Sequence, residues 1–136
     1  MRIGIIGSGG IAKAHARAYK EIEGVEVVAV SDVVEGKAGA FVDELELHGA
    51  KAYTDHVEAL AESHLDGVSV CTPNIAHHRV SVDALNAGVH VLTEKPMAVT
   101  LDQAVEMEQT ARSTGKILTI GFQPRYDPRS EEHTSE

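Results

Sequence analysis

The residues best able to do chemistry fall in a few short runs. Gly7-Ser8-Gly9-Gly10-Ile11-Ala12 is a GxGxxA pattern that directly follows the apolar run RIGII. Gly7 permits a tight turn, Gly9 lets the backbone approach a pyrophosphate, and Ala12 keeps a following helix close to its strand. A helix opening there offers unpaired N–H groups and the positive end of its dipole to phosphates. An acid, Asp32, closes the next apolar run, VEVVAVSD, at about the 20-residue spacing of a dinucleotide fingerprint. Taken together, strand, loop, helix and acid predict dinucleotide binding; the bland alternative is a glycine-rich structural turn followed by a solvated aspartate.

Asp32 also bears on which dinucleotide. A carboxylate there accepts hydrogen bonds from both adenosine ribose hydroxyls and repels a 2′-phosphate. No Arg follows it, and Val33-Val34-Glu35-Gly36 intervene before Lys37. NAD is favoured, with NADP possible. Two further apolar runs end in reactive side chains, Cys71-Thr72-Pro73-Asn74 and Thr93-Glu94-Lys95-Pro96. Ligands of open parallel sheets sit at such strand ends.

The elements that must position these residues alternate regularly. Runs at 2–7, 25–32, 66–73, 89–96 and 116–122 read as strands rich in Val and Ile, with KAY (51–53) as a short extra one. Several lack polar alternation, which suits parallel strands covered on both faces. Helical patterns fall near 10–22, 35–48, 55–62, 75–87 and 100–114. Thr54-Asp55 opens one helix, Thr100 with Gln103 makes a capping box, and Gly88 and Gly115 stand where helices end. This predicts one α/β domain, a doubly wound parallel sheet of the Rossmann type.

The chain has 136 residues, 43% of them hydrophobic, and a formal net charge of −9. An acidic chain without a basic stripe argues against nucleic acid or an anionic membrane as partner. No apolar run approaches a membrane span of roughly 18 residues. A strand starting at Arg2 leaves no room for a signal peptide, so the expected localisation is cytoplasmic. Eight histidines and one cysteine form no HxxxH or paired-Cys ligand set, so no metal is expected. His15 reads as a packing histidine and Cys71 as a small buried hydrophobe.

GIIGSGGIA, CTPNIAHH, TEKPMA and GFQPRYDP, in this order and at these spacings, resemble the Gfo/Idh/MocA oxidoreductases from Met1 to about Pro128. The resemblance implies a catalytic role for Lys95, beside the nicotinamide and the reacting carbon; the alternative is an ion pair with Glu94. It implies that Thr72, Pro73 and Asn74 flank the nicotinamide half, although Asn74 can equally cap the following helix. The resemblance also implies that Glu94 contacts the cofactor ribose or orients Lys95, and that His77 orients rather than reacts. By the same resemblance Gln123 and Arg125 are expected on the substrate side.

The family further implies a second α+β domain, carrying the proton acceptor, most substrate contacts and an oligomer interface. By this reading residues 1–122 are the dinucleotide-binding domain and 123–128 begin a crossover into that further domain. The octapeptide RSEEHTSE (129–136) is also an in-frame translation of a widely used sequencing adapter, so a non-native tail is expected there. The implied activity is hydride transfer between NAD(P) and a hydroxyl or carbonyl of a sugar or polyol, these residues alone being inactive. The alternative is a non-catalytic nucleotide-binding or sensing module.

Overall fold

The Val- and Ile-rich runs do form strands. The computed structural model describes residues 1–94 and 100–121. Within them lie β1 (Arg2–Ile6), β2 (Glu26–Ser31), β3 (Lys51–Tyr53), β4 (Gly67–Val70), β5 (His90–Glu94) and β6 (Leu118–Gly121). The helices are α1 (Gly10–Lys20), α2 (Lys37–Glu44), α3 (His56–Glu62), α4 (Asn74–Asn86) and α5 (Leu101–Thr114). The strands form one parallel sheet in the order β3-β2-β1-β4-β5-β6.

Right-handed crossovers fix which face each helix covers, because the chain first winds one way from β1 and then the other. Ala12, Ala16 and Phe41 from α1 and α2 pack with Ile5 and Val30 on one face. Leu60, Val80 and Leu85 from α3 and α4 pack with Ile6, Val70 and Val91 on the other. β1, β2 and β4 are buried almost throughout, as parallel strands covered on both faces must be. The start of β1 is tied down by Arg2, whose guanidinium donates to the carbonyls of Ser63 and His64 at 2.8–3.1 Å.

Helix boundaries follow local chemistry, and two are shorter than the sequence pattern predicts. The Glu21 and Ile22 N–H groups bond back three residues, to Ala18 and Tyr19, closing α1 at Lys20 rather than at 22. The span predicted at 35–48 shrinks to α2, Lys37–Glu44. Gly36, at φ 83°, takes a left-handed turn before α2, and Glu46, at φ 55°, follows its end. Elsewhere the caps are as predicted: the Asp55 carboxylate accepts from Val57 N–H, and the Thr100 hydroxyl oxygen from Gln103 N–H. α4 differs in that Pro73 is its N-cap, so Asn74 is already the first helical residue.

Leu85 is fully buried between α4 and the sheet. Its truncation removes packing contacts and leaves a cavity, so Leu85→Ala should lower unfolding stability by about 2–5 kcal/mol in a urea titration. A loss well below 1 kcal/mol would show that this face of the sheet can collapse around the gap.

Candidate functional site at the carboxyl ends of the strands

The site begins where β1 turns into α1. Gly7 has φ +94°, and a Cβ there would stand 2.6 Å from the Cys71 carbonyl oxygen, so only glycine fits. The Gly7 N–H donates to the Ser31 carbonyl at 2.7 Å and the Cys71 N–H to Ile6 at 2.7 Å. The ends of β1, β2 and β4 are thus locked together at the point where the winding direction reverses. Ala12, fully buried, lets α1 sit close on β1.

Among the described residues nothing lies within 4 Å of a Cβ built at Gly9 or Gly10. The first N–H groups of a helix have no acceptor inside it. Among the described residues no side chain caps the N-terminus of α1, and its first turn holds no acid. The chain therefore leaves open backbone and a positive helix end where phosphates would lie. Ser8 is turned inward from this loop.

Ser8 and Asp32 form the best-defined polar contact of the site. Asp32 Oδ2 accepts from Ser8 N at 3.0 Å and from Ser8 Oγ at 2.5 Å, and Oδ1 accepts from Val34 N at 2.9 Å. Lys37 Nζ lies 3.9 Å from Oδ2. Burial pushes the Asp32 carboxyl up, but the Ser8 hydroxyl, the two backbone N–H groups and the Lys37 charge outweigh it. Together they hold it below the usual carboxylate range. Asp32 is a fixed, ionised acceptor rather than a solvated turn residue.

A cleft of about 400 Å³ opens here, lined by Gly7, Asp32, Lys37, Thr72, Pro73 and Arg79 among others. His56 also lines it and bonds Asp83 at 2.8 Å, the same carboxylate that Arg79 meets at 3.6 Å. Thr72 Oγ1 and Thr93 Oγ1, at the ends of neighbouring strands, are buried and have no hydrogen-bond partner among the described residues. Such hydroxyls suit a polar ligand at these strand ends. A smaller hollow of about 280 Å³, between Tyr19, Glu26 and Leu47, lies at the opposite end of β2, away from these groups.

The predicted residues are thus partly assembled. Gly7, Asp32, Thr72 and Pro73 share the cleft, and Ser8 holds Asp32. Gly9, Gly10, Ile11 and Ala12 open α1, and Asn74 opens α4. His77 is buried on α4 and does not line the cleft, and Glu94 ends β5. Lys95, Gln123 and Arg125 lie outside the described residues, as do the crossover and the tail. His15 Nδ1 meets Ser69 Oγ at 2.8 Å, in keeping with a packing role. Sequence reasoning missed Lys37, His56 and Arg79, which reach the cleft only through folding of the turn before α2 and the packing of α3 on α4.

Comparison with known proteins places this geometry. The Gfo/Idh/MocA family model, described as an oxidoreductase family with an NAD-binding Rossmann fold, matches residues 1–122. Glucose-6-phosphate 3-dehydrogenase of Bacillus subtilis is 39% identical over 125 residues, which cover 92% of this chain and 34% of that protein. The structure of scyllo-inositol dehydrogenase from Lactobacillus casei, with bound NAD(H) and scyllo-inositol, is 25% identical at TM-score 0.84. That match covers 99% of this chain and 40% of the other. Biliverdin reductase from Synechocystis, solved with biliverdin and NADP+, is 28% identical at TM-score 0.79, over 88% of this chain and 37% of its own. The chain thus spans well under half the length of these relatives. Its loop, acid and strand order are those of an NAD-binding Rossmann domain, and the chain belongs to the Gfo/Idh/MocA oxidoreductase family.

Proposed function

We propose that this chain is the cofactor-holding part of an enzyme that interconverts a hydroxyl and a carbonyl on a sugar, polyol or related small molecule. The observation that carries the reading is the Asp32 carboxylate, fixed by Ser8 and facing a cleft beside the open N-terminus of α1. Asp32 receives the adenosine ribose hydroxyls, while the α1 loop receives the pyrophosphate. When bound, the nicotinamide supplies the hydride acceptor or donor. Lys95 follows directly on the β5 end and is proposed as the cation that stabilises negative charge on the reacting oxygen. Gln123 and Arg125 are proposed for the substrate side.

The substrate class rests on the relatives. The names of two of them specify glucose 6-phosphate and scyllo-inositol, each a polyhydroxylated ring. A third binds biliverdin, so the fold by itself does not fix the substrate. Among the described residues no helix is long and apolar enough to cross a membrane.

Calorimetric titration with NAD tests the cofactor reading. Asp32→Ala removes charge-assisted acceptors and should weaken NAD by roughly 10- to 100-fold. Equal affinity in the variant would remove Asp32 from the site. In the whole protein, Lys95→Ala should lower kcat by about 100-fold or more with NAD affinity within about threefold; unchanged turnover would strip Lys95 of its role.

The held carboxylate also leaves a signature in acid. Its folded-state value lies below that of the unfolded chain, so its stabilising contribution is complete above the unfolded value and is lost as pH falls through the folded one. The gap in urea midpoint between the wild-type chain and Asp32→Asn should therefore narrow from about pH 5 to about pH 3. A constant gap would show that Asp32 is not held in this way.

A further inference from the structure

Ser69 is a polar residue in an apolar strand. β4 reads Gly-Val-Ser-Val and is buried along its whole length, with Ser69 itself fully buried. A hydroxyl in that position costs free energy unless it is bonded. Two side chains of α1 bond it: the Tyr19 hydroxyl lies 2.5 Å from Ser69 Oγ and His15 Nδ1 lies 2.8 Å from it. His15 and Tyr19 stand four residues apart on one stripe of the helix, their rings edge to face with centroids 6.4 Å apart.

Acidity sets the order of donors. A phenol is a stronger acid than an aliphatic alcohol, and an imidazole nitrogen is a stronger base than either oxygen. Tyr19 therefore donates to Ser69 Oγ, and the Ser69 hydroxyl donates to His15 Nδ1. Burial pushes the Tyr19 phenol up, against the Ser69 bond that lowers it, so the donor proton is retained.

The other contacts of α1 leave its rotation loosely defined. Ala12 and Ala16 are fully buried and pack with Ile5 and Val30 of β1 and β2. Such small side chains let the helix sit close, but apolar contact is non-directional. Toward α2, Lys13 meets Glu44 and Lys20 meets the Leu45 carbonyl, each through a long flexible stem. Ser69 holds the helix from β4, on the opposite side of β1 from β2, through two directional bonds one turn apart.

We propose that Ser69 is a positioning residue for the pyrophosphate: by bonding His15 and Tyr19 together it fixes the rotation of α1, and with it the direction in which the first N–H groups of that helix face. Fully buried beneath α1, Ser69 is closed to the cofactor and acts only through the helix. The inference rests on the dinucleotide reading above and adds a residue outside the phosphate loop on which that loop depends.

The test is an NMR titration of the isotope-labelled 136-residue chain with NAD and, separately, with adenosine, which carries no phosphate. Ser69→Ala should weaken NAD by about tenfold or more and leave adenosine within about twofold of wild type. Tyr19→Phe keeps the ring, loses one of the two bonds, and should weaken NAD by about threefold with adenosine again unchanged; it carries the test if Ser69→Ala does not fold. In the same spectra the His15 ring should carry its proton on Nε2 in wild type, and Nδ1 should respond to either substitution. Unchanged NAD affinity in the variants overturns the proposal, as does equal weakening of NAD and adenosine or a His15 resonance indifferent to Ser69. A wild-type chain that binds neither ligand overturns the dinucleotide reading instead, while the His15 resonance still reports whether the three side chains are joined.

Discussion

The structure depends on how closely the end of β1 approaches the end of β4. At Gly7 the backbone passes so near the Cys71 carbonyl that any Cβ would stand 2.6 Å from its oxygen. β1 is the central strand on which the winding reverses, with β2 bonded along one side and β4 along the other. A reversal opens a crevice between the two connecting loops, which is why ligands of such sheets bind there. The crevice has a usable shape only because the turn at its floor is flat and tight. The buried Ala12 does the same for the helix above it. One missing side chain and one small one thus bring three strand ends and a helix N-terminus into a single surface.

On that surface the decisive electrostatic fact is that a nearly buried carboxylate stays ionised. Burial opposes the charge, and Asp32 keeps it because Ser8 and Val34 supply three donors while Lys37 supplies an opposing charge. The carboxylate is therefore both fixed in place and softened in its outward field. A bare aspartate at this point would act mainly as a filter against phosphate. A paired one acts as a hydrogen-bonding platform whose field depends on its partner. Arg79 and His56, which also line the cleft, form a comparable linked group through Asp83.

Much of this was legible in the sequence, and the exceptions have physical causes. Strands show as Val/Ile runs because both faces of β1, β2 and β4 are covered. Gly7, Asp32 and Thr72 show because each sits at a strand end, where the strand's own periodicity marks the position. α2 is shorter than its pattern because Leu45 and Leu47 carry the apolar spacing past its end, while left-handed residues at 36 and 46 bound the helix. Linear spacing makes Lys37 look remote from Asp32, whereas the turn before α2 brings its ammonium to 3.9 Å from the carboxylate. His56 opens the short helix α3. Its place in the cleft depends on α3 packing against α4, a long-range contact that no local pattern encodes.

The strand order can also be used as a ruler. Asp32 follows the end of β2 and Glu94 closes β5, with β1 and β4 lying between those strands. At about 4.8 Å between neighbours, three strand spacings separate these two ends by roughly 14 Å. A small metabolite can touch one end or the other but cannot bridge them. An occupant that engages both must be long, with a separate recognition group at each extremity and a linker crossing the glycine turn in the middle. The order of the strands thus sets a length scale along their carboxyl ends that is independent of any side chain.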